Sequence, residues 1–132
     1  MKRYLALLAI IPVLAAACGG PDRTALAKST VTAYWTDISH GKFGPAYRML
    51  TPGDRQARPF SGYVSDMQGF MTQVAGLTVH AGKTTVSNDT AVVAVTLHSP
   101  LTTVAKHAYQ HLYWTGSTWQ ITDSDGGLSN KP

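Results

Sequence analysis

The spacing of apolar residues changes at Gly76. Before it they recur every three to four positions, and after it every second position. The first spacing lines one face of a helix and the second lines one face of a strand. A chain that switches once, from one period to the other, does not alternate strand and helix as a parallel βαβ protein must. It points to an α+β fold, with helices first and an antiparallel sheet after them.

Three helices are expected before the switch. TALAKSTVTAYWTDISHG sets Leu26, Val31, Tyr34, Trp35 and Ile38 at helical spacing, with Asp22 or Thr24 to cap the start and Gly41 to end it. GKFGPAYRMLTPGD sets Phe43, Ala46, Tyr47 and Leu50 on one face; Pro45 fits a first turn, and TPGD breaks the element. RPFSGYVSDMQGFMTQVAG puts Phe60, Tyr63, Val64, Met67, Met71 and Val74 on one stripe. Gly62 and Gly69 weaken this last helix, so packing rather than propensity must hold it.

Four strands are expected after the switch. LTVHAGKTTVS is the first, bent at Gly82, and Ser87 to Asp89 makes a tight turn. TAVVAVTLHSP follows, with Ala91, Val93, Val95 and Leu97 on one face and Val92, Ala94, Thr96 and His98 on the other. LTTV turns the chain into AKHAYQHLYW, and TGST turns it again into WQITDSD. The expected architecture is three helices packed on one face of a curved four-stranded antiparallel sheet.

The N-terminus reads differently from the body. MKRY is a short basic start, and Leu5 to Ala17 is an apolar run too short to span a hydrocarbon core of about 30 Å as a stable helix. It has the form of a cleavable export leader. Leu14-Ala15-Ala16-Ala17-Cys18 then resembles the bacterial lipobox, in which small residues precede a cysteine that is acylated and becomes the mature N-terminus. Leu14 stands four places before the cysteine rather than the usual three. Ala15-Ala16-Ala17 is also an A-x-A site for ordinary signal peptidase, and an uncut leader would itself act as an anchor. Cys18 is the only cysteine, so no disulfide forms within one chain. The expected division is 1–17 leader, 18–23 tether, 24–125 folded domain and 126–132 flexible tail, in an exported protein held on the cell membrane by a lipid at Cys18.

Charge narrows the partners. The chain of 132 residues carries +4 overall, but Lys2 and Arg3 lie in the leader. The nine remaining cations are scattered among seven acids, with no basic stripe for a nucleic acid. Every acid is Asp.

The stretches VTAYWTDISHGKFGPAYRMLTPGDR, PFSGYVSDM and LYWTGSTWQITD resemble the nuclear transport factor 2-like (cystatin-like) superfamily. Closest in pattern are its small bacterial lipoproteins with no assigned activity; the non-catalytic N-terminal domain of some transpeptidases is also similar. The resemblance covers Thr24 to Asp125 and implies a cone of helices closed by a curved sheet. It does not imply one activity, since the superfamily hosts enzymes, binding proteins and scaffolds. In the related isomerases and dehydratases the cone cavity holds an Asp or His.

Three sets of residues are candidates for chemistry. His107 and His111, in HAYQH, would stand about 6 Å apart on a helix but about 13 Å apart on a strand, too far for one ion. A strand is expected, so no metal site is. His98 could face His107 across the hairpin, with no third ligand placed to complete a site. For acid–base work Asp37, Asp66, His40, His107 and His111 are available, but nothing in the spacing pairs an Asp with a His. The catalytic alternative therefore rests on Asp37, His107 or His111 as a base in the cone. Last, Tyr109 and Tyr113 share a strand face with His107 and His111, opposite Ala108, Gln110, Leu112 and Trp114. If Leu112 and Trp114 point inward, the Tyr/His face is an amphipathic interface; the opposite assignment lines an internal pocket with Tyr and His. Arg55 to Arg58, RQAR, is a small basic loop that could touch anionic headgroups.

The function expected from these features is a lipid-anchored, non-catalytic binding or interaction module. It needs no cofactor, takes an envelope protein or a small apolar ligand, and could pair with a second copy through the sheet face. The alternative is a small-molecule enzyme working in the cone cavity.

Overall fold

The computed structural model describes residues 22–74, 76–100, 102–122 and 127–132. Cys18 and the apolar leader lie outside the described residues. Among the described residues four helices come first: α1 (Arg23–Ser39), α2 (Phe43–Arg48), α3 (Pro52–Ala57) and α4 (Phe60–Gln73). Four strands follow: β1 (Thr78–Ser87), β2 (Thr90–Ser99), β3 (Thr102–Trp114) and β4 (Trp119–Ile121). They form one antiparallel sheet in the order β1-β2-β3-β4. The class is α+β, with the helices preceding the sheet.

Local chemistry accounts for the helix ends. Asp22 caps α1 by accepting the Thr24 N–H at 3.0 Å. Gly41 follows its C-cap at φ 72°, a left-handed conformation that glycine adopts without a Cβ clash. The fourth helix is a correction to the expected three. TPGD does end α2, but it also starts α3. Thr51 is the N-cap, accepting the Asp54 N–H at 3.3 Å and donating to its carboxylate at 2.6 Å, and Pro52 opens the first turn. RQAR is accordingly the end of a helix rather than a basic loop.

The core lies between α1, α4 and the inner face of the sheet. α1 contributes Ala27, Val31, Tyr34, Trp35 and Ile38; β2 contributes Ala91, Val93, Val95 and Leu97, the alternation expected of it. Leu112 of β3 and Trp119 and Ile121 of β4 complete that wall. The open edge of β4 is covered from the helical side: Ile121 donates its N–H to the Met49 carbonyl at 2.8 Å, and Thr51 donates to the Ile121 carbonyl at 3.0 Å.

β3 is longer and less regular than its sequence implied. β2 ends at Ser99 and β3 begins at Thr102, so Thr102 to Val104 belong to the strand. Two register shifts follow: His98 pairs with Thr103, Leu97 with Ala105, and Val95 with Ala108. The second leaves Thr96 opposite both Lys106 and His107, and His107 takes φ 57°. Within the last residues, two side-by-side positions meet the sheet and core. Ser129 exchanges two backbone hydrogen bonds with Tyr109, at 2.8 and 2.9 Å, and Leu128 packs on the core.

Candidate functional site

A mostly apolar cavity opens between α4 and the far ends of β2 and β3, with a volume of about 330 Å³. Trp35 of α1 and Met67 and Phe70 of α4 form one wall. Leu97, Val104 and Ala105 form the sheet wall, and Gly127 and Leu128 close one side. Met67 and Phe70 reach it because they are three apart on α4, one position past Asp66. The shifts in β3 leave Val104 and Ala105, next to each other in sequence, both half-buried at the same wall. Trp35 and Phe70 meet edge to face with centroids 6.0 Å apart.

Polar groups bear on this cavity in two places, behind its wall and at its mouth. Gln110 is fully buried behind Trp35: its side-chain carbonyl accepts the Trp35 indole N–H at 2.9 Å, and its amide donates to the Gly127 carbonyl at 3.0 Å. That bridge orients the indole wall and ties the C-terminal segment to the sheet. At the mouth, Arg58 and Asp66 form an ion pair. The Arg58 side chain is 24% exposed and that of Asp66 is 57% exposed, so the guanidinium lies deeper and the carboxylate faces the water.

The loop before α4 is held by Tyr47, whose hydroxyl lies 2.7 Å from the Arg55 carbonyl and 2.6 Å from that of Arg58. Tyr63, one turn before Met67, is buried and donates to the Tyr34 hydroxyl at 3.0 Å. Burial pushes the Tyr63 phenol from 10.0 up to about 12, with the Asp37 charge adding to the rise; the Tyr34 hydrogen bond and the Arg58 charge pull the other way. Tyr63 is therefore a neutral phenol at physiological pH.

The candidates read from the sequence are dispersed. Asp37 is half-buried on α1 and lines a shallow groove against β1, beside Val79 and His80, rather than the α4 cavity. His107 is exposed at its bulge, away from His98, whose Nδ1 lies 3.3 Å from the Thr103 hydroxyl. His111, half-buried, pairs with Val92. Tyr109 pairs with Ala94, and Tyr113 with Thr90 and Gln120. Leu112, Gln110 and Ala108 point inward, so Tyr109, His111 and Tyr113 form the outer face, where Tyr113 is 45% exposed. An internal pocket lined by Tyr and His is not what the strand builds. Among the described residues no three His, Cys, Asp or Glu side chains gather in one place, and no helix is long and apolar enough to cross a membrane.

Of the acid–base candidates read from the sequence, Asp66 reaches the cavity. Its partner Arg58 was not visible as one, because it precedes α4 and shares no helical spacing with Asp66. The sequence set Gln110 on the strand face opposite Tyr109 and Tyr113 and left open which face is inner, and no short-range pattern links it to Trp35, which lies 75 residues away. Comparisons with family models, curated proteins and solved structures find no match for this chain.

Proposed function

We propose that this chain is an exported lipoprotein, anchored through Cys18, whose domain binds a small apolar ligand in the cavity between α4 and the sheet without transforming it. The fold we assign to it is the nuclear transport factor 2-like cone. The observation that carries the binding reading is the cavity's composition. Its walls are Trp, Met, Phe, Leu, Val and Ala, and the polar groups at its mouth and behind its wall are already paired: Arg58 with Asp66, and Gln110 with Trp35 and Gly127. Such a site holds an apolar body by burial and orients it with few polar contacts. The outer sheet face, with Tyr109, His111 and Tyr113, is where an envelope protein or a second copy would sit.

Two measurements test this. Intact mass of the mature protein should show acyl mass on Cys18; an unmodified N-terminus contradicts the anchor. The neutral dye N-phenyl-1-naphthylamine should bind saturably with a fluorescence rise. Ala105→Phe, which fills the cavity from the sheet wall, should reduce that binding about tenfold or more. Equal binding by the filled variant would contradict the site.

A further inference from the structure

The ion pair at the cavity mouth is asymmetric. Arg58 is three-quarters buried, and its loop is fixed by the Tyr47 hydroxyl on two carbonyls. Asp66 lies on the outer side, more than half exposed, one residue before Met67 and four before Phe70. A ligand whose apolar end rests on those two side chains brings its head past the carboxylate. The guanidinium behind is engaged by that carboxylate and lies deeper than it does. The group that meets the head is an acceptor carrying negative charge.

Resting on the binding reading above, we infer that Asp66 selects ligands by their head group: a small apolar body ending in an uncharged hydrogen-bond donor, such as an alcohol, is accepted, and the matching carboxylate is rejected. An alcohol can donate to an outer oxygen of Asp66 while the Arg58 pair stays intact. A carboxylate cannot donate, and it must lie beside a like charge in a partly desolvated mouth. The cavity, at about 330 Å³, sets the scale of the body. It lies at the small end of ligand pockets, which run roughly from 300 to 1,000 Å³.

The test uses octan-1-ol and octanoate, identical in chain, titrated at neutral pH by isothermal calorimetry. The natural protein should bind the alcohol at least about tenfold more tightly than the carboxylate. Asp66→Asn and Asp66→Ser should each close most of that gap by improving octanoate. Asp37→Asn, which alters a carboxylate outside the cavity, should leave it unchanged. Asp66 is exposed, and unchanged circular dichroism of its variants shows the fold intact. Equal affinities in the natural protein, or a gap that survives both Asp66 variants, would overturn the selection while leaving the cavity a binding site. Saturable binding of neither probe, together with no binding of the naphthylamine dye, would overturn the cavity reading itself.

Discussion

Gln110 makes two bonds that no neighbour in sequence supplies, to the buried Trp35 indole N–H and to the half-buried Gly127 carbonyl. A leucine would fit the space but remove both bonds, at about 1–2 kcal/mol each. Gln110→Leu should therefore lower unfolding stability in urea by roughly 2–4 kcal/mol, more than an apolar-for-polar swap inside a core suggests. Tyr63 carries a pH dependence of definite sign. Its neutral form is the one the core accepts, so its contribution is whole below pH 10.0 and drains away as pH rises through about 12. Tyr63→Phe removes a hydrogen bond of about 1 kcal/mol at neutral pH. Between pH 10 and 12 the natural protein should lose roughly 2–3 kcal/mol that the variant keeps, measured by denaturant melts across that range. Arg23 is a third tie. Its guanidinium lies 4.8 Å from the Trp114 ring and 5.0 Å from Trp119, and it donates to the Asn88 carbonyl at 2.6 Å. Trp114 and Trp119 face each other across the β3–β4 turn, but Arg23 and Asn88 lie far from them in sequence, which is why composition and spacing name the residues but not these pairings.

At the scale of elements, the switch of period at Gly76 was legible because it depends only on local alternation. α1, α4, β1 and β2 follow it closely. α3 was missed for a physical reason: Thr-Pro-Gly-Asp ends one helix and caps the next, and Pro and Gly draw the eye to the first role. The cap itself, Thr51 with Asp54 three residues on, was the signal that could have found it. β3 went further from expectation, because a bulge depends on the partner strand and not on the bulged residue. His107 occupies the left-handed region at φ 57° and is exposed there. His107→Gly should thus stabilise the protein by up to about 1 kcal/mol, and His107→Val should destabilise it, by thermal melts. Gly76 gives the opposite result. It sits at φ 67°, and a Cβ there would lie 3.1 Å from the Pro100 ring, so Gly76→Ala should cost about 1–2 kcal/mol.

Over the whole molecule, the start of the domain and the cavity lie at opposite ends. Arg23 contacts Asn88 at the β1–β2 turn, and the Trp119 indole donates to the Arg23 carbonyl at 2.8 Å. From Thr90 to Leu97, β2 then climbs roughly 20 Å toward the cavity wall. A lipid on Cys18 would place the Arg23 end nearest the bilayer and the mouth at Arg58 and Asp66 toward the aqueous side. A spin label at Asn88 should then be broadened by bilayer-bound paramagnetic lipid, and one at Thr102 should not. The central claim is narrower than that orientation: the apolar ligand enters beside α4 and not onto the outer sheet face. The most direct measurement is a methyl and indole NMR titration with octan-1-ol. Shifts are predicted at Met67, Leu97, Val104, Ala105, Leu128 and the Trp35 indole. Saturating shifts confined to Val92, Ala94 and the Tyr109–Tyr113 face, with the cavity methyls unmoved, would contradict it.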